Sequence, residues 1–171
     1  MSEGGVSHRR VFGVTGWKNA GKTTLVERLV AEFVRRGWRV ATIKHAHHDV
    51  DIDRPGTDSY RHRAAGATEV ALVGGLRYAI MREQKEPRLA KVLDRLAPAD
   101  LILIEGFKHE PHAKIEVRSC EDDPNMPPMA PQDPSIVAIA ADRPVADRRL
   151  PWFHRDDIAA IADFIAALRQ R

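Results

Sequence analysis

Apolar positions in this chain follow two alternating rhythms. Val11-Phe12-Gly13-Val14 is a short apolar run, and Leu25, Val26, Leu29, Val30, Phe33 and Val34 then recur in pairs at helical spacing. A strand and then a helix are predicted, with Gly37 terminating the helix and a second strand over Arg39 to Ile43. Asp58 to Ala65 reads as a short helix and Thr68 to Val73 as a third strand. Pro87 opens another helix, with Leu89, Val92, Leu93 and Leu96 on one face. Leu101-Ile102-Leu103-Ile104 is the continuous run of a strand buried on both faces. Ile115 and Val117 alternate with polar neighbours, the pattern of an edge strand, and Ser135 to Ala140 gives one more buried strand. Ile158, Ile161, Ile165 and Leu168 form the core stripe of a last helix. Strands and helices in alternation predict a three-layer α/β fold, a mostly parallel sheet with helices on both faces and an antiparallel edge. Residues 1–9 read as a disordered leader, and Glu121 to Pro134, with five prolines, as an exposed loop.

The first strand and helix are joined by Gly16-Trp17-Lys18-Asn19-Ala20-Gly21-Lys22-Thr23, which fits G-x-x-x-x-G-K-[ST] in the strand–loop–helix context that pattern requires. Gly16 and Gly21 allow positive φ and close approach of the backbone to phosphate oxygens. Successive N–H groups and the positive end of the helix then make an anion-binding concavity. Lys22 is the residue to reach the β- and γ-phosphates and the Thr23 hydroxyl the one to ligate Mg²⁺. A plain glycine-rich turn would leave unexplained why Lys and Thr both stand at the required offset. Residues 10–171 are accordingly predicted to form a single P-loop nucleotide-binding domain.

Parallel α/β sheets bind ligands at the carboxyl ends of their strands, which directs the search to the other strand ends. Ile104 is followed by Glu105-Gly106, an acid in the place of a second nucleotide motif. Glu105 is a candidate for catalysis and for Mg²⁺, through water or by positioning water, and the Gly106 N–H for approach to a γ-phosphate. The second strand runs into the densest polar stretch of the chain, Lys44 to Ser59, with three histidines and four aspartates. Read as a switch loop facing the phosphates, it offers Lys44, His45, His47 and His48, with Asp53 or Asp58 as a water-mediated Mg²⁺ ligand. A Zn²⁺ or Ni²⁺ site is the competing reading, although no cysteine lies nearby and the spacing matches no closed tetrahedral motif. Asp142, after the strand ending near Ala140, stands where an acid can accept hydrogen bonds from guanine N1 and N2, but without Asn or Lys ahead of it.

Composition narrows the classes. The net charge is only +3, from 27 Lys plus Arg against 24 Asp plus Glu, and aromatic residues make up 6%, so neither a phosphate-backbone footprint nor a stacking platform for nucleic acid is present. No apolar run approaches the length that spans a bilayer. One cysteine, Cys120, excludes an internal disulfide and fits a reducing cytoplasm.

Five segments together carry a family resemblance: Thr15-Gly16-Trp17-Lys18-Asn19-Ala20-Gly21-Lys22-Thr23-Thr24-Leu25, Ile43-Lys44-His45-Ala46-His47-His48, Asp53-Arg54-Pro55-Gly56-Thr57-Asp58-Ser59, Ala64-Ala65-Gly66-Ala67 and Leu103-Ile104-Glu105-Gly106-Phe107-Lys108. From Arg10 to Asp142 the chain resembles the molybdopterin-guanine dinucleotide biosynthesis adaptor protein B (MobB) family. The histidine-rich second motif is far more specific than the phosphate loop alone. The resemblance implies a GTP-binding protein with weak Mg²⁺-dependent GTPase activity, a homodimer that assists the guanylyltransferase attaching GMP to molybdopterin. It implies phosphate binding by Gly16 to Thr24, a second nucleotide motif at Glu105-Gly106, and a cleft lined by Lys44 to Ser59. Lys18, Lys44 and Lys108 are candidates to hold an anionic pterin phosphate. Three alternatives stand beside it: a small-molecule kinase using Arg61, Arg63, Arg77 or Arg82, a nickel-handling GTPase using His45, His47 and His48, and a non-enzymatic module with structural nucleotide.

Overall fold

The computed structural model describes residues 10–46, 51–85, 87–119, 126–145 and 149–168. In chain order the elements are β1 (Arg10–Gly16), α1 (Lys22–Arg35), β2 (Val40–Lys44), α2 (Asp58–Ala64), β3 (Glu69–Val73), β4 (Tyr78–Arg82), α3 (Leu89–Leu93), β5 (Leu101–Glu105), β6 (Lys114–Arg118), β7 (Ile136–Ala141), β8 (Trp152–His154) and α4 (Ile158–Ala167). They fall into two compact units, one of Met1–His45 with Leu96–Arg171, the other of Ala46–Arg95.

The larger unit is built on a six-stranded sheet in the order β2-β5-β1-β6-β7-β8. Every strand pair in it is parallel. Side chains two apart along a strand share a face. Phe12 and Val14 of β1, Leu101 and Leu103 of β5, Ile115 and Val117 of β6, and Ala138 and Ala140 of β7 therefore present one apolar surface. Leu25, Leu29 and Phe33 of α1 and Ile161 and Ile165 of α4 pack into the same buried cluster. Truncating one of the fully buried members, such as Leu29 to alanine, costs about 2–5 kcal/mol by the usual cavity and transfer terms. Gly37 at φ 83° lets the chain leave α1, its N–H donating to Val34 O at 2.9 Å and the Trp38 N–H to Phe33 O at 3.0 Å.

β6 corrects an expectation. Its alternation of Lys114, Ile115, Glu116 and Val117 predicts an edge strand, yet it lies between β1 and β7 with Lys114 and Glu116 at 0% and 1% exposure. The polar face is buried because nonlocal segments satisfy it. Lys114 Nζ donates to Lys108 O (3.0 Å), Glu110 O (2.6 Å) and Ser135 Oγ (2.7 Å), and pairs with Asp133 at 3.4 Å. Glu116 accepts from the Met129 N–H (2.8 Å), the Ala130 N–H (3.0 Å) and Arg118 Nη2 (2.7 Å). Buried charges are tolerated when paired and fully hydrogen-bonded in this way. One strand thus pins two segments, 108–110 and 129–130, over the sheet.

The smaller unit holds α2, α3 and a two-stranded antiparallel sheet of β3 and β4. The hairpin pairs Val73 with Tyr78 and closes with the Gly74 N–H donating to Arg77 O at 2.9 Å. Strand β4 has no counterpart among the predicted elements, and neither has the short β8. The hairpin exposes Leu72, Val73, Leu76, Tyr78 and Ile80, each more than half accessible, so no inward-facing stripe marks β4 in the sequence. Arg63 ties this unit together, donating to Asp51 at 2.8 Å and to Glu83 at 2.9 Å.

Candidate functional site

The loop between β1 and α1 has the backbone its glycines predict. Gly16 has φ 146° and Gly21 φ 94°, and Asn19, at φ 65°, also takes the left-handed region that asparagine tolerates better than most side chains. A Cβ on Gly16 would stand 2.5 Å from Val117 O, so no other residue fits against β6 there. Gly21 is the N-cap of α1 with no side-chain cap, and α1 has no acidic residue in its first turn. The positive end of the helix dipole there faces no acidic side chain of its own first turn, a setting that favours an anion. Lys22 Nζ donates to Trp17 O at 2.5 Å, holding the ammonium across the loop it would share with phosphate.

Trp17 is fixed from two sides. Its Nε1–H donates to Pro127 O at 3.0 Å, and Lys108 Nζ lies 4.7 Å from the ring centroid. Pro127 belongs to the segment that Glu116 holds through Met129 and Ala130. The buried polar layer of β6 therefore reaches the second residue of the phosphate loop. Lys18 and Asn19 are exposed, Ala20 is fully buried in the core cluster, and Thr24 is exposed on α1.

At the neighbouring strand end, the Thr23 hydroxyl donates to Glu105 Oε1 at 2.8 Å. Lys44 Nζ stands 3.4 Å from the same carboxylate oxygen and 3.4 Å from Thr23 Oγ1. A hydroxyl and a carboxylate oxygen side by side, next to the lysine of the loop, form the hard-oxygen donor set that Mg²⁺ takes while keeping its other sites for water and phosphate. The residues fit that ion. The Lys44 ammonium balances the buried Glu105 charge from the same side.

Gly106 and Phe107 both have positive φ, at 97° and 47°. A Cβ on Gly106 would lie 2.9 Å from His45 Cβ, and the Gly106 N–H donates to Val14 O at 3.3 Å. The His45 N–H donates to Glu105 O at 2.8 Å, and its imidazole stacks on Phe107 with centroids 4.3 Å apart. Glycine at 106 thus brings the ends of β2 and β5 into contact. His45 is placed beside Glu105 by packing.

His47 and His48 lie outside the described residues. Asp53 and Asp58 belong to the smaller unit. Asp53 Oδ1 accepts from Thr57 Oγ1 (2.9 Å), Ser59 Oγ (2.9 Å) and the Arg54 N–H (3.1 Å). Burial pushes its pKa up, but the Thr57 and Ser59 hydroxyls, the Arg54 N–H and the Arg63 charge outweigh it and hold the carboxyl below its ordinary value. Asp53 organises the turn that starts α2, where Thr57 Oγ1 accepts from the Tyr60 N–H at 3.3 Å. Asp58 is 89% exposed and pairs with Arg61 at 3.5 Å. Among the described residues, no cluster of three or more His, Cys, Asp or Glu is placed to hold a metal ion.

Asp142 follows β7 and is largely buried, its carboxylate paired with Arg155 Nε. Arg155 was not singled out by the sequence. Its only local signal is a basic residue directly after a short strand, at the sheet end that carries the phosphate loop. Between Gly21, Thr24, Arg28, Arg155 and Asp156 lies a cavity of about 140 Å³. Arg28 and Asp156 form an ion pair on its wall.

Three comparisons bear on this site. The family model for molybdopterin guanine dinucleotide synthesis protein B matches residues 11–142, spanning β1 to Asp142. The molybdopterin-guanine dinucleotide biosynthesis adapter protein of Haemophilus influenzae is 41% identical over 160 residues, covering 91% of this chain and 86% of that protein. Its Escherichia coli counterpart is 37% identical, with 94% of each chain covered. In structure, MobB of Bacillus subtilis superposes with a TM-score of 0.74 at 26% identity, over 95% of this chain and 99% of that one. The MobB homologue of Bacillus stearothermophilus gives 0.71 at 30% identity, over 93% and 99%. With the β1–α1 loop and Glu105-Gly106 both inside the matched segment, this chain belongs to the MobB family.

Proposed function

We propose that this chain is a GTP-binding adapter in the synthesis of molybdopterin guanine dinucleotide, and that it assists the guanylyltransferase that attaches GMP to molybdopterin. The observation that carries the nucleotide reading is the 2.8 Å contact between Thr23 and Glu105, at the mouth of a loop that leads into a first turn of α1 with no acidic residue. Gly16 to Thr24 bind the phosphates, with Lys22 on the β- and γ-phosphates. Thr23 and Glu105 hold Mg²⁺, directly or through water, and the ion when bound neutralises charge on the phosphates. The adapter role is carried over from the names of the two relatives quoted above.

Hydrolysis on this site is slow. Glu105, the acid nearest the phosphates, already accepts from Thr23 and pairs with Lys44, so it is a poor base for water. Three of the arginines that would equip a kinase lid are engaged inside the smaller unit: Arg61 with Asp58, Arg63 with Asp51 and Glu83, and Arg82 with Glu69. That arrangement favours the adapter over the kinase. The exposed apolar hairpin of Leu72, Val73, Leu76, Tyr78 and Ile80 supports the homodimer, as a surface of this kind on a folded unit marks a protein contact.

Lys22→Ala tests the nucleotide reading. It removes the phosphate-binding ammonium from a partly buried position outside the core, so GTP·Mg²⁺ binding is lost while the thermal transition stays close to that of the wild type. Unaltered GTP affinity in this variant would overturn the proposal.

A further inference from the structure

We infer that Arg155 reads the nucleobase together with Asp142, as the donor half of a carboxylate–guanidinium couple selecting a purine with a 6-oxo group and N–H donors at positions 1 and 2. The inference rests on the GTP-binding reading above and assigns its base preference to named side chains.

Placement comes first. β7 and β8 are parallel neighbours with Ala141 in register with His154. Asp142 and Arg155 are each the first residue after those strands, so they emerge side by side at the carboxyl ends, where the phosphate loop also lies. The Arg155 N–H donates to Ala141 O at 3.2 Å, and its Nε pairs with Asp142 Oδ1. The other end of the guanidinium reaches the loop: Nη1 lies 3.2 Å from where a Cβ on Gly21 would stand. Arg155 thus bridges Asp142 and the phosphate loop, over a cavity that Thr24 and Arg28 line from α1.

Size sets the next constraint. About 140 Å³ holds a few waters, whereas small-molecule sites run to about 300 Å³ or more. A nucleoside entering beside Thr24 must therefore move the Arg155 side chain, which is 35% exposed. The base then meets both partners of the ion pair.

Their chemistry matches one purine edge. A carboxylate only accepts, and takes two adjacent N–H donors; a guanidinium only donates, and serves an oxo group and a ring nitrogen. Guanine presents N1–H and N2–H beside O6 and N7. Adenine presents an amino donor at position 6 and an acceptor at N1, so the same couple would set donor against donor and acceptor against acceptor. Discrimination of this kind comes as much from the repulsive pairing as from the attractive one.

The test is calorimetric titration of GTP, ITP and ATP, each with Mg²⁺, into the wild-type chain, Arg155→Ala and Arg155→Met. ITP keeps O6 and N1–H and lacks the 2-amino group, so it retains the guanidinium contact while giving Asp142 one donor fewer. Loss of one such contact weakens GTP and ITP by about tenfold or more and leaves ATP within about twofold, collapsing the GTP preference. Arg155→Met preserves the packing of the stem and gives the same result where Arg155→Ala lowers the melting temperature. Equal losses for GTP and ATP would make Arg155 a phosphate or packing residue and overturn the inference, as would no change. Wild-type binding of GTP and ATP with equal affinity would overturn it while leaving the phosphate loop intact. Wild-type binding of neither would remove the GTP-binding reading itself.

Discussion

The Thr23 hydroxyl donates to Glu105 Oε1 at 2.8 Å, joining the first turn of α1 to the carboxyl end of β5. Neither residue makes a site alone. Their contact exists because β1 and β5 are parallel neighbours, Val14 standing opposite Glu105, and because the loop returns the chain over that strand end. Lys44 completes the group from β2, which pairs with β5 on its other side with Lys44 in register with Glu105.

Glu105→Ala removes the Thr23 acceptor and the Lys44 partner together. GTP affinity measured with Mg²⁺ falls by about tenfold, the scale of one charge-assisted hydrogen bond, and affinity measured with EDTA changes less. An equal loss in both conditions would show that Glu105 acts on packing and not on the cation.

Glu116→Gln places an amide NH₂ where two backbone N–H groups and a guanidinium now meet a carboxylate. A buried donor facing donors costs about 1–3 kcal/mol, read as a lower urea midpoint. Because the same segment carries the Pro127 carbonyl that Trp17 bonds, the tryptophan emission of the native state shifts as well. A destabilised variant with unchanged native emission would disconnect Glu116 from the phosphate loop.

His112 predicts a pH dependence. Burial, with the Lys114 charge beside it, lowers its pKa from 6.5 to about 4. Both ring nitrogens are buried without a hydrogen-bond partner among the described residues, and Nε2 would lie 2.5 Å from a Cβ on Gly13. The imidazole is neutral in the fold and takes a proton in the unfolded chain below pH 6.5, so the unfolded state binds more protons between pH 6.5 and 4. Its contribution is present above that window and is lost as pH falls through it. Thermal melts across pH 4–7 should fall less steeply for His112→Gln than for wild type, and an identical slope would exclude His112 as the cause.

The hairpin predicts an oligomeric state. Leu76→Glu and Ile80→Lys place charges on side chains that are 99% and 55% exposed, so the fold tolerates them while an apolar contact does not. Light scattering of the double variant should report a monomer where the wild type reports a dimer. A wild-type monomer at working concentration would remove the homodimer from the account.

The parts legible in the sequence are those whose cause is local. The phosphate loop is a spacing, α1 is a stripe, and β5 and β7 are apolar runs that only the interior accepts. Gly37 ends α1 as its conformational freedom predicts. β6 reads as an edge strand because Lys114 and Glu116 look solvated until the carbonyls of Lys108 and Glu110 and the N–H groups of Met129 and Ala130 are brought to them. Arg155 is invisible in the sequence for the same reason: the pairing of β7 with β8 makes it a neighbour of Asp142, and no short motif records that pairing. β4 was missed because neither of its faces is buried.

Calorimetric titration of GTP and of ATP into the wild-type chain decides whether this loop binds GTP with Mg²⁺. The expected result is saturable binding of GTP that needs Mg²⁺, with a clear preference over ATP. No heat for GTP, or binding of ATP in preference to it, would show that the loop is not a GTP site.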